Sequence, residues 1–142
     1  MRCRESLGRP SKSPRHANEA GASLAEFALV LPILLVMLFG IVEFGIAFNR
    51  AQAIEAGARE GARLASLQST TQADINSRVN ATLAGIPFDS APVVGAASPA
   101  LCAGRAGEAV TVVVSADHDI NIPPIINTTI TLNGQAVFRC EG

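Results

Sequence analysis

"FALVLPILLVMLFGIVEFGIAF", residues 27–48, holds 22 positions and a single charged residue, Glu43. As a helix at about 1.5 Å per residue it covers roughly 33 Å, which matches a bilayer hydrocarbon core of about 30 Å. A membrane span follows from length alone. A cleavable secretory signal is the competing reading, since Ala51-Gln52-Ala53 imitates a cleavage site. Its apolar region, however, normally runs only about 7 to 15 residues.

Charge sets the expected orientation. Up to Gly21, Arg2, Arg4, Arg9, Lys12 and Arg15 outnumber Glu5 and Glu19, leaving +3. Positive flanks stay in the cytoplasm, so the N-terminus is expected there and the C-terminal part outside the inner membrane. The rest of the chain is acidic and contains no lysine. It has neither a basic surface for nucleic acid nor a glycine-rich phosphate loop with a following lysine.

With 142 residues, the chain has room for one span and one small domain of roughly 70 residues. Residues 1–20 are polar, basic and contain two prolines, a composition that reads as a disordered leader. Beyond the span, residues 49–68 are rich in alanine, with Ile54, Ala58, Ala62 and Ala65 on one side. One helix is expected over 22–68, with the span at 27–48 and its second half outside the bilayer. Pro32 removes one backbone donor inside that helix, so a bend or local loosening is expected near it.

Residues 69–142 read as a small extracytoplasmic domain. Thr70 or Thr71 is placed to cap a second helix in which Ile75, Val79 and Leu83 repeat every four residues, ending at Gly85. "PVVGAAS" is a weak edge strand. Val110, Val112, Val114 and Ala116 alternate with polar residues, as do Ile130, Leu132, Ala136 and Phe138, which predicts two half-buried strands. The prolines of "NIPPIINT" are expected to exclude ladder pairing between them. The fold class is therefore α+β: a long transmembrane helix extending out of the membrane, a short second helix and a small antiparallel sheet.

Cys3 lies in the leader, whereas Cys102 and Cys140 lie in the exported part, where an oxidising compartment favours a disulfide between them. Nothing resembles an active site. His118 is the one histidine beyond the leader, and "DHD" at Asp117 to Asp119 reads as a solvated strand end rather than a metal site. No catalytic activity, cofactor or metal is expected.

Charges within a bilayer cost several kcal/mol and call for partners. Glu43 either reaches the interface or contacts a neighbouring helix. Ala53, Gly57, Gly61 and Ala65 form a stripe of small residues, suited to close packing against another subunit's helix or against the sheet of the same chain.

The basic leader, Gly21, a spacer of small and hydroxyl residues, Glu26-Phe27 and the apolar helix together resemble the processing site of type IV prepilins. With Pro32, "GIVEFG" around Glu43 and "AREGAR" at 58–63, residues 22–66 resemble the N-terminal region of TadE-like proteins, minor pseudopilins of tight-adherence (type IVb) pilus systems. That resemblance implies a cut between Gly21 and Ala22 by a prepilin peptidase, removing residues 1–21. It further implies that Glu26 pairs with the new N-terminal amine of a neighbouring subunit. The implied partners are other pseudopilins, the major pilin, the inner-membrane assembly platform and the lipid bilayer. The alternative is an unprocessed single-pass anchor that presents an extracytoplasmic binding domain.

Overall fold

A computed structural model describes residues 15–123 and 126–141, with side chains from Gly21 onward. The first fourteen residues of the leader, Cys3 among them, lie outside the described residues. The fold is α+β, in the order α1 (Arg15–Ala65), α2 (Gln72–Leu83), β1 (Val93–Val94), β2 (Ala109–Ile122) and β3 (Ile126–Arg139).

Helix α1 starts earlier than expected. Arg15 to Ala20, read from composition as disordered leader, are helical. Downstream of Pro14, "RHANEAGA" offers alanines and no further proline, so nothing in it stops a helix from propagating. The helical run also passes through Pro32 without a break, so any loosening there does not end it. At the other end it stops at Ala65, three residues short of the expected Gln68. The Ser66 hydroxyl donates to the Arg63 carbonyl at 2.7 Å and the Thr70 hydroxyl to that of Leu64 at 2.8 Å. These bonds occupy carbonyls that the last turn leaves open.

Two compact units divide at Met37 and Leu38. In the first, the described side chains of α1 are exposed almost throughout. The second holds the rest of α1, α2 and the sheet.

Thr71 caps α2 through a capping box: its side chain accepts from the Asp74 amide, and the Asp74 carboxylate accepts from the Thr71 amide at 3.0 Å. The Thr71 hydroxyl, donating to Asp74 Oδ2 at 2.6 Å, and after it the Thr71 amide hold the Asp74 carboxyl below its usual pKa range. Ile75, Val79 and Leu83 are buried as the four-residue repeat requires. An ion pair at 3.0 Å from Arg78 to Glu60 joins α2 to α1 on the solvent side.

The sheet has the order β1-β2-β3, antiparallel throughout. The expected break at "NIPPIINT" does not occur. Strands β2 and β3 pair in register all the way from Ala109↔Arg139 to Ile122↔Ile126. Pro123 lies in the turn beyond the last pair, so it removes no ladder donor; Pro124 and Ile125 lie outside the described residues.

The core is built mostly from small residues. Ile54, Ala58, Ala62 and Ala65 of α1 meet Ile75, Val79 and Leu83 of α2 and Val110, Val112 and Val114 of β2. Alanines on α1 let the sheet come close: a Cβ on Gly134 of β3 would stand 2.8 Å from the backbone of Ile54. Phe138 keeps the inward parity but remains 38% exposed, although Ala136 and Cys140 on either side of it in that series are buried. Cys102 and Cys140 are joined in a disulfide that closes a separation of 38 residues. Next to it, the Glu141 amide donates to the Ser66 carbonyl at 2.9 Å, returning the chain to the end of α1.

Candidate functional site

Arg50 is the first charged residue after the apolar run of α1, and it is only 8% exposed. Burying a guanidinium requires compensation, and Asp89 in the loop after α2 supplies it. Arg50 Nη2 donates to Asp89 Oδ1 at 3.1 Å while Nη1 reaches Oδ2, a two-pronged pair. Asp89 Oδ2 also accepts from the Asp119 amide at 2.9 Å, and Ser90 Oγ from the Asp117 amide at 3.0 Å. The loop at 89–90 thereby satisfies backbone donors of β2 that lie beyond its pairing with β1. Arg50 above all, with the Asp119 amide second, lowers the pKa of the Asp89 carboxyl to about 2.

His118 completes the cluster, and the expectation for it is overturned. It is 1% exposed rather than a solvated strand end. The reason lies in strand parity: Val110, Val112, Val114 and Ala116 face the core, and position 118 continues the series. Its Nδ1 lies against Arg50 Nη1 and 3.3 Å from Asp89 Oδ2. A guanidinium has donors only, so Nδ1 accepts from it. Nε2 lies 3.6 Å from Glu43 Oε1, beyond hydrogen-bond reach, and has no hydrogen-bond partner among the described residues.

Glu43 thus stands half-buried beside His118 of its own chain, with no hydrogen bond between them. Arg50, Asp89, His118 and Glu43 form one polar group that joins α1, the 89–90 loop and β2. Its cation is engaged by Asp89 and His118. Among the described residues, no group of three or more His, Cys, Asp and Glu side chains is arranged to hold a metal ion.

The residues singled out from sequence are distributed along α1 and at the base of the sheet. Gly21, Ala22, Glu26 and Phe27 are exposed on α1, and a Cβ at Gly21 would meet nothing within 4 Å. Among the described residues no ion pair engages Glu26. Gly57 and Gly61, by contrast, are covered from inside the chain. A Cβ at Gly57 would lie 3.3 Å from the Leu83 side chain, and one at Gly61 would lie 2.8 Å from that of Val79. Of the two readings of the small-residue stripe, packing within the chain is the one observed, and α2 and β2 occupy the space that another subunit's helix would need.

Residues 21–63 match the family described as TadE-like protein. The chain carries a TadE-like segment. The match begins at Gly21, runs through Glu26, Pro32, Glu43 and Arg50, and stops two residues before α1 ends. The TadE-like segment thus contributes two members of the polar cluster, Glu43 and Arg50, while Asp89 and His118 come from the part outside the match. No curated protein and no solved structure matches the chain. One helix, Gly21–Ala65 by its described residues, is long and apolar enough to cross a membrane, which fits a single-pass anchor.

Sequence reasoning missed Arg50, Asp89 and His118. Two signals were present. The inward parity of β2 extends without interruption to position 118, and the apolar run ends at an arginine on the face of Ile54.

Proposed function

We propose that this protein is a minor pseudopilin that takes part in assembling a tight-adherence pilus. The TadE-like match over α1 carries this reading, supported by Glu26, which stands exposed one helical turn after Ala22 with no ion-pair partner among the described residues. A prepilin peptidase removes residues 1–21. The Glu26 carboxylate then pairs with the freed amine of a neighbouring subunit, since a charge at that depth needs a counter-ion. The N-terminus faces the cytoplasm and the disulfide-tied domain stands outside the inner membrane. There the protein meets the major pilin, other pseudopilins and the assembly platform, and it catalyses no reaction.

One observation favours the unprocessed anchor as a second reading: α1 already runs as helix from Arg15 through Gly21. A peptidase must unwind that stretch to reach the bond. The N-terminal sequence and intact mass of protein recovered from its native membrane separate the two. A start at Ala22, lost on substituting Gly21, is the expected result; a start at Met1 overturns the pseudopilin reading.

A further inference from the structure

The polar cluster marks the upper limit of a groove. Below it, the inner face of the β2–β3 hairpin continues toward the turn as Ile120, Ile122, Ile126 and Ile130. These residues face Phe44 and Phe48 of α1 without closing onto them. The space left is an open groove of about 570 Å³. Glu43 is its one charged lining residue, and His118 accompanies that carboxylate at the inner wall.

The groove's height along α1 decides what it meets. Gly40, Phe44 and Phe48 belong to the apolar run 27–48, so the groove occupies the last nine residues of that run, about 12 Å of helix. The chemistry of the hairpin changes across its thickness at the same level. Its outer face carries Asp117, Asp119 and Asn121, with Thr131 and Thr129 donating across the strands to the two aspartates at 2.8 and 2.5 Å. An element apolar toward the helix and polar on its other side suits the boundary between headgroups and hydrocarbon.

Phe44, 73% exposed, and Phe48, stacked on it at 6.3 Å, form an apolar wall within the run 27–48, the stretch that crosses the bilayer if α1 is an anchor. We propose that the groove between α1 and the hairpin takes an acyl chain of a bilayer lipid, with the hairpin turn dipping past the headgroups alongside residues 40–48. This rests on α1 being a membrane anchor, and not on the pilus assignment.

The test is photolabelling of the full chain in phosphatidylethanolamine–phosphatidylglycerol vesicles, doped with a phosphatidylcholine that carries a diazirine on its acyl chain. Adducts mapped by mass spectrometry are expected on the span and on the hairpin at Ile120, Ile122 and Ile126. None is expected at Val137, which is apolar and exposed but sits at the far end of the hairpin. In Ala47→Phe, which places a ring in the groove, hairpin adducts are expected to fall severalfold while those on the span stay constant. Adducts on the span alone overturn the proposal. Hairpin adducts undiminished in Ala47→Phe overturn it too, because the lipid would then lie on the outer face. Adducts on neither segment overturn the membrane anchor itself, and the groove with it.

Discussion

Gly134 of β3 and Ile54 of α1 touch backbone to backbone: a Cβ on the glycine would lie 2.8 Å from the Ile54 carbonyl carbon and oxygen and equally close to the Glu55 nitrogen. No side-chain rotation relieves a clash with main chain. Gly134→Ala therefore pushes the hairpin off the helix, at a cost of about 1–3 kcal/mol. A lowered midpoint in thermal unfolding of the detergent-solubilised protein is expected, and an unchanged midpoint contradicts so close an approach. Gly61→Ala meets the Val79 side chain instead, which can rotate, so it should cost less than Gly134→Ala.

Removing His118 takes away the acceptor that its Nδ1 offers to Arg50 Nη1 and leaves a buried cavity beside that guanidinium. His118→Ala is expected to destabilise the domain by about 1–3 kcal/mol, the usual cost of orphaning buried polar groups. Asparagine at the same position restores one polar contact and should recover part of the loss. Chemical denaturation of the two variants side by side checks the order.

Acid should act on the Arg50–Asp89 pair. The pKa of the Asp89 carboxyl falls from 3.8 to about 2 on folding, so the folded state is favoured while the carboxylate is ionised. That contribution is complete above about pH 4 and disappears as pH falls toward 2. With the side chain a third exposed, solvent screening limits it to on the order of 1–2 kcal/mol. Unfolding midpoints between pH 5 and 2 should fall less steeply in Asp89→Asn than in the parent, and parallel curves would count against the ion pair.

The disulfide should matter more than any one of these contacts. Cys102 and Cys140 close a loop of 38 residues in a domain with few large core side chains. Loss of the bridge in Cys140→Ser is expected to cost about 2–4 kcal/mol. Two alkylatable thiols in the native oxidised protein would show that the bridge does not form.

Glu26→Ala is expected to leave removal of the leader intact and to impair pilus assembly. Piliation at the parental level in that variant would remove the counter-ion role proposed for this carboxylate.

Local pattern was readable wherever one period governed a whole element. The fourfold repeat of Ile75, Val79 and Leu83, the alternation along β2 and the pairing of Cys102 with Cys140 each led to what the structure shows. What could not be read depended on chain segments far apart in sequence. Nothing near position 118 signals that Arg50, 68 residues earlier, will lie against it. Without that partner, a histidine between two aspartates reads as solvent-exposed. The stripe of Gly57 and Gly61 was ambiguous for the same reason, because a small residue records that something comes close and leaves open what it is. The prolines at 123 and 124 misled because their usual effect on a ladder depends on whether they fall within the pairing or just past it.

The place of β3 has a consequence for the timing of biosynthesis. The apolar stripe at Ile54, Ala58 and Ala62 is made early, whereas Gly134 and Ala136, which help to cover it, follow roughly 70–80 residues later; at about 5–20 residues per second the delay is several seconds. The nascent chain therefore passes through a stage in which α1 and α2 exist and the hairpin does not, with part of the helix stripe uncovered. Closure is postponed until Cys140 has been made and delivered to the same compartment as Cys102, and a ribosome stalled before Gly134 would leave a sticky helix pair in place of a domain.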